Sequence, residues 1–419
     1  MAQTRYREPV SRLSPLGCWL FAITLAGGCT SHHGDEPIEA EREREPEPEP
    51  PVEGVTPASV EPEPVVRGPI TPLTHKPFTG AVGDVDGDHQ PDVVALCHDP
   101  EAAALIVLRG APDGTFVEGE PLIVQASGVV LGDLDGDADL DALLTNARGR
   151  PAYRVALNDG TGSFSLSDER TIPGRYGGEL DGATLIDLDD DGRLDAVIPL
   201  WDSIHVLPGD GSGGFESSGR ALTVGRDPFD TAIGDLDGDG QLDLIATSGA
   251  APARDRDSYE SSGASVWIFR GNQRGFDDPV RVEIAGAREV ELGDLDDDGK
   301  LEIVVSGAAG LTTIDEPLGE LEVERIEVAT DGPLAIADIL VPPGPELITS
   351  SYMQSRIHAL AGPDGDKTSF EAGNFVVGLY PADVARGGGR PDVIVLNAGP
   401  SGGPMGPPAP SIEVLFAAE

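Results

Sequence analysis

The chain has 419 residues, enough for one large domain or two ordinary ones, and carries 74 acidic against 28 basic residues, a formal net charge of -46. So acidic a surface repels phosphate backbones and bare membrane headgroups, which argues against nucleic acid as a partner and makes a cation the natural counter-charge. Aromatics are 5% of residues, while Gly and Pro number 55 and 37, so the core is aliphatic and the turns are many, favouring short strands over long helices.

The chain opens with Arg5, Arg7 and Arg12, followed by the apolar run "LGCWLFAITLAGG". That run is too short to span a bilayer comfortably and has the shape of a signal-peptide core. It ends in "LAGGC", which resembles a bacterial lipobox. The resemblance implies that residues 1–28 are removed and that Cys29 carries a lipid anchor. Ala26 departs from the Leu, Val or Ile more usual there, and an ordinary secretory signal with Cys29 incidental is the alternative. Thr30 is not the aspartate that resembles an inner-membrane retention signal, so an outer-membrane or cell-surface lipoprotein is implied, with a secreted or periplasmic protein as the alternative. Residues 29–67, with Pro alternating with Glu, read as an extended, self-repelling linker reaching on the order of 100 Å at polyproline rise.

From residue 68 to 419 one pattern recurs. Five segments share it: "VGDVDGDHQPDVV", "LGDLDGDADLDAL", "LIDLDDDGRLDAV", "IGDLDGDGQLDLI" and "LGDLDDDGKLEIV". Two worn copies follow, "IADILVPPGPELI" and "PADVARGGGRPDVI", so that the leading aspartates are Asp84, Asp133, Asp187, Asp235, Asp294, Asp338 and Asp383. Each unit reads as a strand entering the acidic turn, a second leaving it, a third ending at a Gly–Phe turn such as "NDGTGSF", and a polar fourth. Four short strands per unit predict an all-β fold, a seven-bladed propeller. The last unit stops after its third strand, and "GPITPLTHKPF" stands unassigned before the first turn. That stretch is expected to complete the last blade and close the ring. Cys97, alone in this region, has no intramolecular disulfide partner and reads as a small core hydrophobe.

The acidic and Gly–Phe turns resemble the FG-GAP/VCBS repeats of integrin-α-like propellers, strongly in five units and weakly in two. The resemblance implies calcium in the loop joining the first two strands of some blades. The residues themselves support it. Positions one, three, five and nine of each turn are carboxylates: Asp84, Asp86, Asp88 and Asp92; Asp133, Asp135, Asp137 and Asp141; Asp187, Asp189, Asp191 and Asp195; Asp235, Asp237, Asp239 and Asp243; Asp294, Asp296, Asp298 and Glu302. So many hard oxygens suit calcium better than magnesium, up to five ions, and no His or Cys cluster suggests zinc. Position seven varies from Asp139 to Lys300, which fits a backbone ligand. Position six is Gly192, Gly240 and Gly299 in three units; if it is left-handed, His89 and Ala138 carry a cost of about 1–2 kcal/mol and the first two sites bind more weakly.

No nucleophile elbow, zinc-protease motif or phosphate loop is present, and His75, His89, His98, His205 and His358 are scattered between units. Two long insertions, in the fourth and seventh units, are candidate recognition loops, the first with Arg254, Arg256 and Tyr259. The expected function is a monomeric, exported calcium-binding propeller that binds a protein or polysaccharide partner. A structural envelope scaffold without a ligand and a carbohydrate-active enzyme with a central-channel site are the alternatives.

Overall fold

A computed structural model divides the chain into two units, Met1–Val60 and Glu61–Glu419. It describes residues 65–98, 103–146, 151–173, 182–201, 203–216, 219–250, 263–272, 275–296, 298–307, 310–319, 321–328, 330, 332–340, 344–351, 356–361, 367–371, 375–384, 390–399 and 410–417. The signal segment, Cys29, all but the end of the linker, and Arg254, Arg256 and Tyr259 lie outside these residues.

The second unit is all-β, a seven-bladed propeller of antiparallel sheets in which each strand pairs with the next along the chain. Blade one comprises Lys76–Gly83, Asp92–His98, Ala103–Gly110 and an outer strand in two pieces, Phe116–Glu118 and Leu122–Val124. Blade two repeats this with Gly128–Gly132, Asp141–Asn146, Ala152–Asn158, and Phe164–Leu166 with Arg170–Thr171. Blade three is Thr184–Ile186, Asp195–Leu200, Ser203–Leu207 and Arg220–Thr223; blade four is Arg226–Gly234, Asp243–Ala250, Ser265–Phe269 and Val280–Glu283. Blade five is Val290–Gly293, Glu302–Gly307, Gly310–Asp315 and Glu322–Ile326; blade six is Leu334–Ala337, Glu346–Ser351, Arg356–Ala361 and Lys367–Glu371. Blade seven has Val376–Ala382, Asp392–Asn397 and Ser411–Phe416, and its outer strand comes from the other end of the unit, as Val66–Arg67 and Thr71–Pro72.

The first strands touch their neighbours all the way round, and Lys76–Gly83 meets both Gly128–Gly132 and Val376–Ala382, so the ring is closed. Closure therefore follows the sequence expectation with shifted boundaries. Pairing starts at Val66, which faces Phe416, two residues before the expected stretch. The end of that stretch, from Lys76, belongs to blade one instead. Between the two, Glu118 of blade one accepts the Thr74 N–H at 2.8 Å and contacts His75 Nδ1 at 2.7 Å.

The core lies between blades. Val94, Leu96, Leu105 and Val107 of blade one pack on Val129, Ala142, Leu144 and Ala156 of blade two. Second strands are buried along nearly their whole length, which is why they read as continuous aliphatic runs. Each fully buried Leu, Ile or Val contributes about 1.5–3 kcal/mol, so the repeat gains its stability by stacking. Cys97 is 1% exposed between blades seven and one, and burial pushes its thiol up to about 12, an inert core residue.

Candidate metal centres at the acidic turns

The leading aspartate winds each turn around its own carboxylate. Asp84 Oδ1 accepts the Gly87 N–H at 2.8 Å and Oδ2 accepts that of His89 at 2.9 Å. The position-six N–H donates to the same oxygen in the other four turns, from Ala138, Gly192, Gly240 and Gly299. Bending the chain so tightly forces position six into the left-handed region, with φ of 67° at His89, 75° at Ala138, 82° at Gly192 and Gly240, and 88° at Gly299. Asp190, at position four of the third turn, is left-handed as well, at 57°. Position seven donates its N–H to the position-five carboxylate, as Gln90 does to Asp88 at 2.8 Å and Lys300 to Asp298 at 2.8 Å, which explains its tolerance of any side chain.

Position nine has a structural task that spacing did not reveal. Asp92, Asp141, Asp195, Asp243 and Glu302 are all at most 5% exposed. Each accepts the position-two N–H, from Val85, Leu134, Leu188, Leu236 and Leu295. The four aspartates also accept the N–H that follows the third strand's facing residue: Gly110, Asn158, Gly209 and Gly271. In the worn blades Glu346 accepts two N–H groups of its own turn, Ile339 and Leu340, and Asp392, at position ten, accepts those of Val384 and Ala417. The carboxylate that opens the second strand is thus buried on the backbone of its turn in all seven blades, and in blades one to four and seven it also holds the end of the third strand. Burial raises the Asp92 carboxyl to about 6, against two backbone N–H groups that lower it and with Asp86 and Asp88 adding repulsion. Asp141, Asp195, Asp243, Glu302 and Glu346 shift upward for the same first cause.

Each turn gathers three carboxylates whose oxygens lie within 4.8 Å of one another: Asp84, Asp86 and Asp92; Asp133, Asp135 and Asp141; Asp187, Asp189 and Asp191; Asp235, Asp237 and Asp239; Asp294, Asp296 and Glu302. Three of the four expected ligands in each turn thus form one cluster. Asp88, Asp137 and Asp298 stand outside the first, second and fifth. Asp195 and Asp243 stand outside the third and fourth. The triads fit a hard divalent cation. Asp86 Oδ1 and Asp135 Oδ1 are buried yet have no hydrogen-bond partner, leaving lone pairs aimed at no protein group. His89, with a side chain 94% exposed, stands at the rim.

Basic side chains enter most of the turns, Arg193 and Lys300 from position seven and the others from elements far along the chain. Arg109, facing Asp92 across blade one, places Nε 3.2 Å from Asp86 Oδ2. Arg270, at the matching place in blade four, pairs with Asp237 and lies 3.1 Å from Asp239. Arg193 pairs with Asp191, and Lys300 lies 3.8 Å from Asp298. In worn turn six, Arg390 donates to Asp338 and to the Leu340 carbonyl. The Gly–Phe turn also docks on the preceding blade's acidic turn: Asn158 Nδ2 donates to the Val85 carbonyl at 2.8 Å and Gly213 N to that of Leu134 at 3.0 Å. The two motifs of the repeat meet across the blade boundary.

Residues 84–144 and 133–198 match the family described as the FG-GAP-like repeat. The chain is a seven-bladed β-propeller that carries FG-GAP-like repeats. No curated protein sequence matches it. Among solved structures, BBS1N in complex with ARL6DN superposes with a TM-score of 0.56 at 10% identity, over 85% of this chain and 97% of that one. The Vibrio cholerae (V. cholerae) biofilm matrix protein Bap1 gives 0.46 at 12% identity, over 82% and 88%. An Agrocybe aegerita lectin that recognises non-reducing terminal N-acetylglucosamine gives 0.44 at 16%, over 71% and 80%. At such identities the likeness is one of fold.

The histidines of this FG-GAP propeller do not converge. His75 pairs with Glu118, His98 packs its ring on Phe78, and His205 is 8% exposed in blade three. His358 contacts Ser369 at 2.9 Å, and burial lowers it to about 4. Among the described residues, the largest perturbation of a carboxyl is at Glu291 on the first strand of blade five, pushed up to about 8 by burial and by Asp230.

Proposed function

We propose that the protein is an exported, calcium-stabilised propeller, lipid-anchored through Cys29 and held off the membrane by its acidic linker, that presents a rigid platform to a protein or polysaccharide at the cell surface. The calcium reading rests on one observation above all: in five turns three carboxylates converge within 4.8 Å, and two of their oxygens are buried without a partner. Such oxygens repel one another unless a cation lies between them, and calcium accepts their irregular arrangement at about 2.3–2.6 Å where magnesium does not.

The platform reading rests on topology. The second and third strands of blades four and seven are joined by residues 251–264 and 398–410, at the blade end away from the acidic turns. Long connections on a rigid scaffold are where recognition concentrates. A fold neighbour in complex with a partner protein, BBS1N with ARL6DN, supports a binding role by analogy of fold.

Thermal unfolding of the full chain tests the first part. Chelation is expected to lower the melting temperature, with recovery on adding calcium but little on adding magnesium; an unchanged melt refutes the calcium reading. A glycan array probed with the full chain and with variants shortened within 251–262 or 400–409 tests the second. Binding that survives both deletions moves the recognition site elsewhere.

A further inference from the structure

The five acidic turns share one backbone but differ in charge. Turn one holds the Arg109 guanidinium 3.2 Å from Asp86, and turn four holds that of Arg270 on Asp237 and Asp239. Turns three and five hold Arg193 on Asp191 and Lys300 by Asp298. Turn two, like turns three and five, has five carboxylates in nine residues, here because Asp139 stands at position seven in place of Arg193 or Lys300. Among the described residues no Lys, Arg or His forms an ion pair with any of them. The residue of its third strand that faces Asp141, where blades one and four have Arg109 and Arg270, is Leu157. One carboxylate oxygen there, Asp135 Oδ1, is buried without a partner.

Turn six is the limiting case. Its middle positions, Leu340 and Pro342, cannot ligate through their side chains. Arg390, reaching over from blade seven and 19% exposed, donates to Asp338 and to the Leu340 carbonyl, both belonging to the turn. Where the metal ligands are gone, the protein provides a cation of its own. The arginines of turns one and four do part of the same work with the ligands still in place.

We infer that Arg109 and Arg270 are tethered counter-cations that weaken calcium binding at turns one and four, and that turn two, which has none, is the principal calcium site. The inference rests on the calcium reading given above. Its physical basis is Coulombic: a unit charge roughly 6 Å from a divalent ion changes binding by about tenfold even at water-like dielectric. It also reverses the expectation from position six, in which Ala138 would make turn two a weak site. Its left-handed backbone is already formed, through the Ala138 N–H bond to Asp133 at 3.0 Å.

Calorimetric titration of the chelator-stripped full chain with calcium chloride tests this. A tight phase of one ion, followed by weaker ones, is expected. Asp135→Asn should abolish the tight phase, while Asp237→Asn should leave it. Arg109→Gln with Arg270→Gln should strengthen two of the weaker sites by about tenfold and leave the tight phase alone. Circular dichroism of each variant establishes that it is folded, and the arginine pair stands as a test even if Asp135→Asn is not. Saturable binding with a tight phase indifferent to Asp135→Asn, or weak sites indifferent to the arginine change, overturns the inference alone. No saturable calcium uptake overturns the calcium reading with it.

Discussion

A glycine closes the acidic turn from the far side in three blades. Gly110, Gly209 and Gly271 each donate to the buried position-nine aspartate, and at each a Cβ would strike the position-eight carbonyl, of Pro91, Leu194 or Leu242. Gly271→Ala is therefore expected to destabilise the protein by about 2 kcal/mol, the cost of forcing backbone apart in a packed site, read as a lower urea midpoint with an unchanged slope. Glu291 makes a pH prediction. Its native carboxyl titrates near about 8, whereas an unfolded glutamate titrates near about 4.3. Between those values the native state holds a proton that the unfolded chain has lost, so stability falls as pH rises through this window. Glu291→Gln should remove that slope, at most about 1.4 kcal/mol per pH unit. Urea melts at about pH 5 and about pH 8 in saturating calcium check it: the advantage of the variant should grow with pH.

At the scale of elements, the ring is closed by a strand borrowed from the N-terminal side. Arg67 donates to Glu413 at 2.7 Å, and the Glu413 side chain is 2% exposed, so the pair ties the borrowed strand to the third strand of blade seven. Removing the arginine leaves a buried charge unpaired, whereas removing both charges does not. Arg67→Ala is expected to cost about 2 kcal/mol, and Glu413→Gln in that background to recover part of it, measured by thermal melts of the single and double variants. The alternation of turns and aliphatic runs was enough to count the strands. It did not place the borrowed strand's start at Val66 or divide the outer strand of blade two at Leu166 and Arg170, because outer strands pair on one edge only and their polar residues carry no periodic burial signal.

For the whole molecule, a formal charge of -46 makes calcium and salt interchangeable in part. A site saturated at about a hundredfold its dissociation constant adds about 2.7 kcal/mol, so several occupied turns should raise the melting temperature by about 10 °C or more over the chelated protein. High sodium chloride should restore some of the loss by screening general repulsion. It should not restore all, since it cannot ligate the buried oxygens of Asp86 and Asp135. A chelated protein that recovers fully in salt would mean that the turns are screened rather than coordinated.

The sequence by itself determined the repeat, the blade number, the all-β class and the acidic turns as candidate cation sites. Each is a local property: a carboxylate at alternate positions and a β-rich run after it are set by neighbours a few residues away. Glycine in three turns pointed to a left-handed position six, and the structure shows it there at His89 and Ala138 as well. Only the tertiary structure decided which carboxylates converge, that the carboxylate opening the second strand holds the backbone of its turn, and where Arg109, Arg270 and Arg390 reach. Those contacts join residues far apart in the chain, across strand pairs and blade boundaries. No spacing records them, because their geometry exists only once neighbouring sheets have stacked.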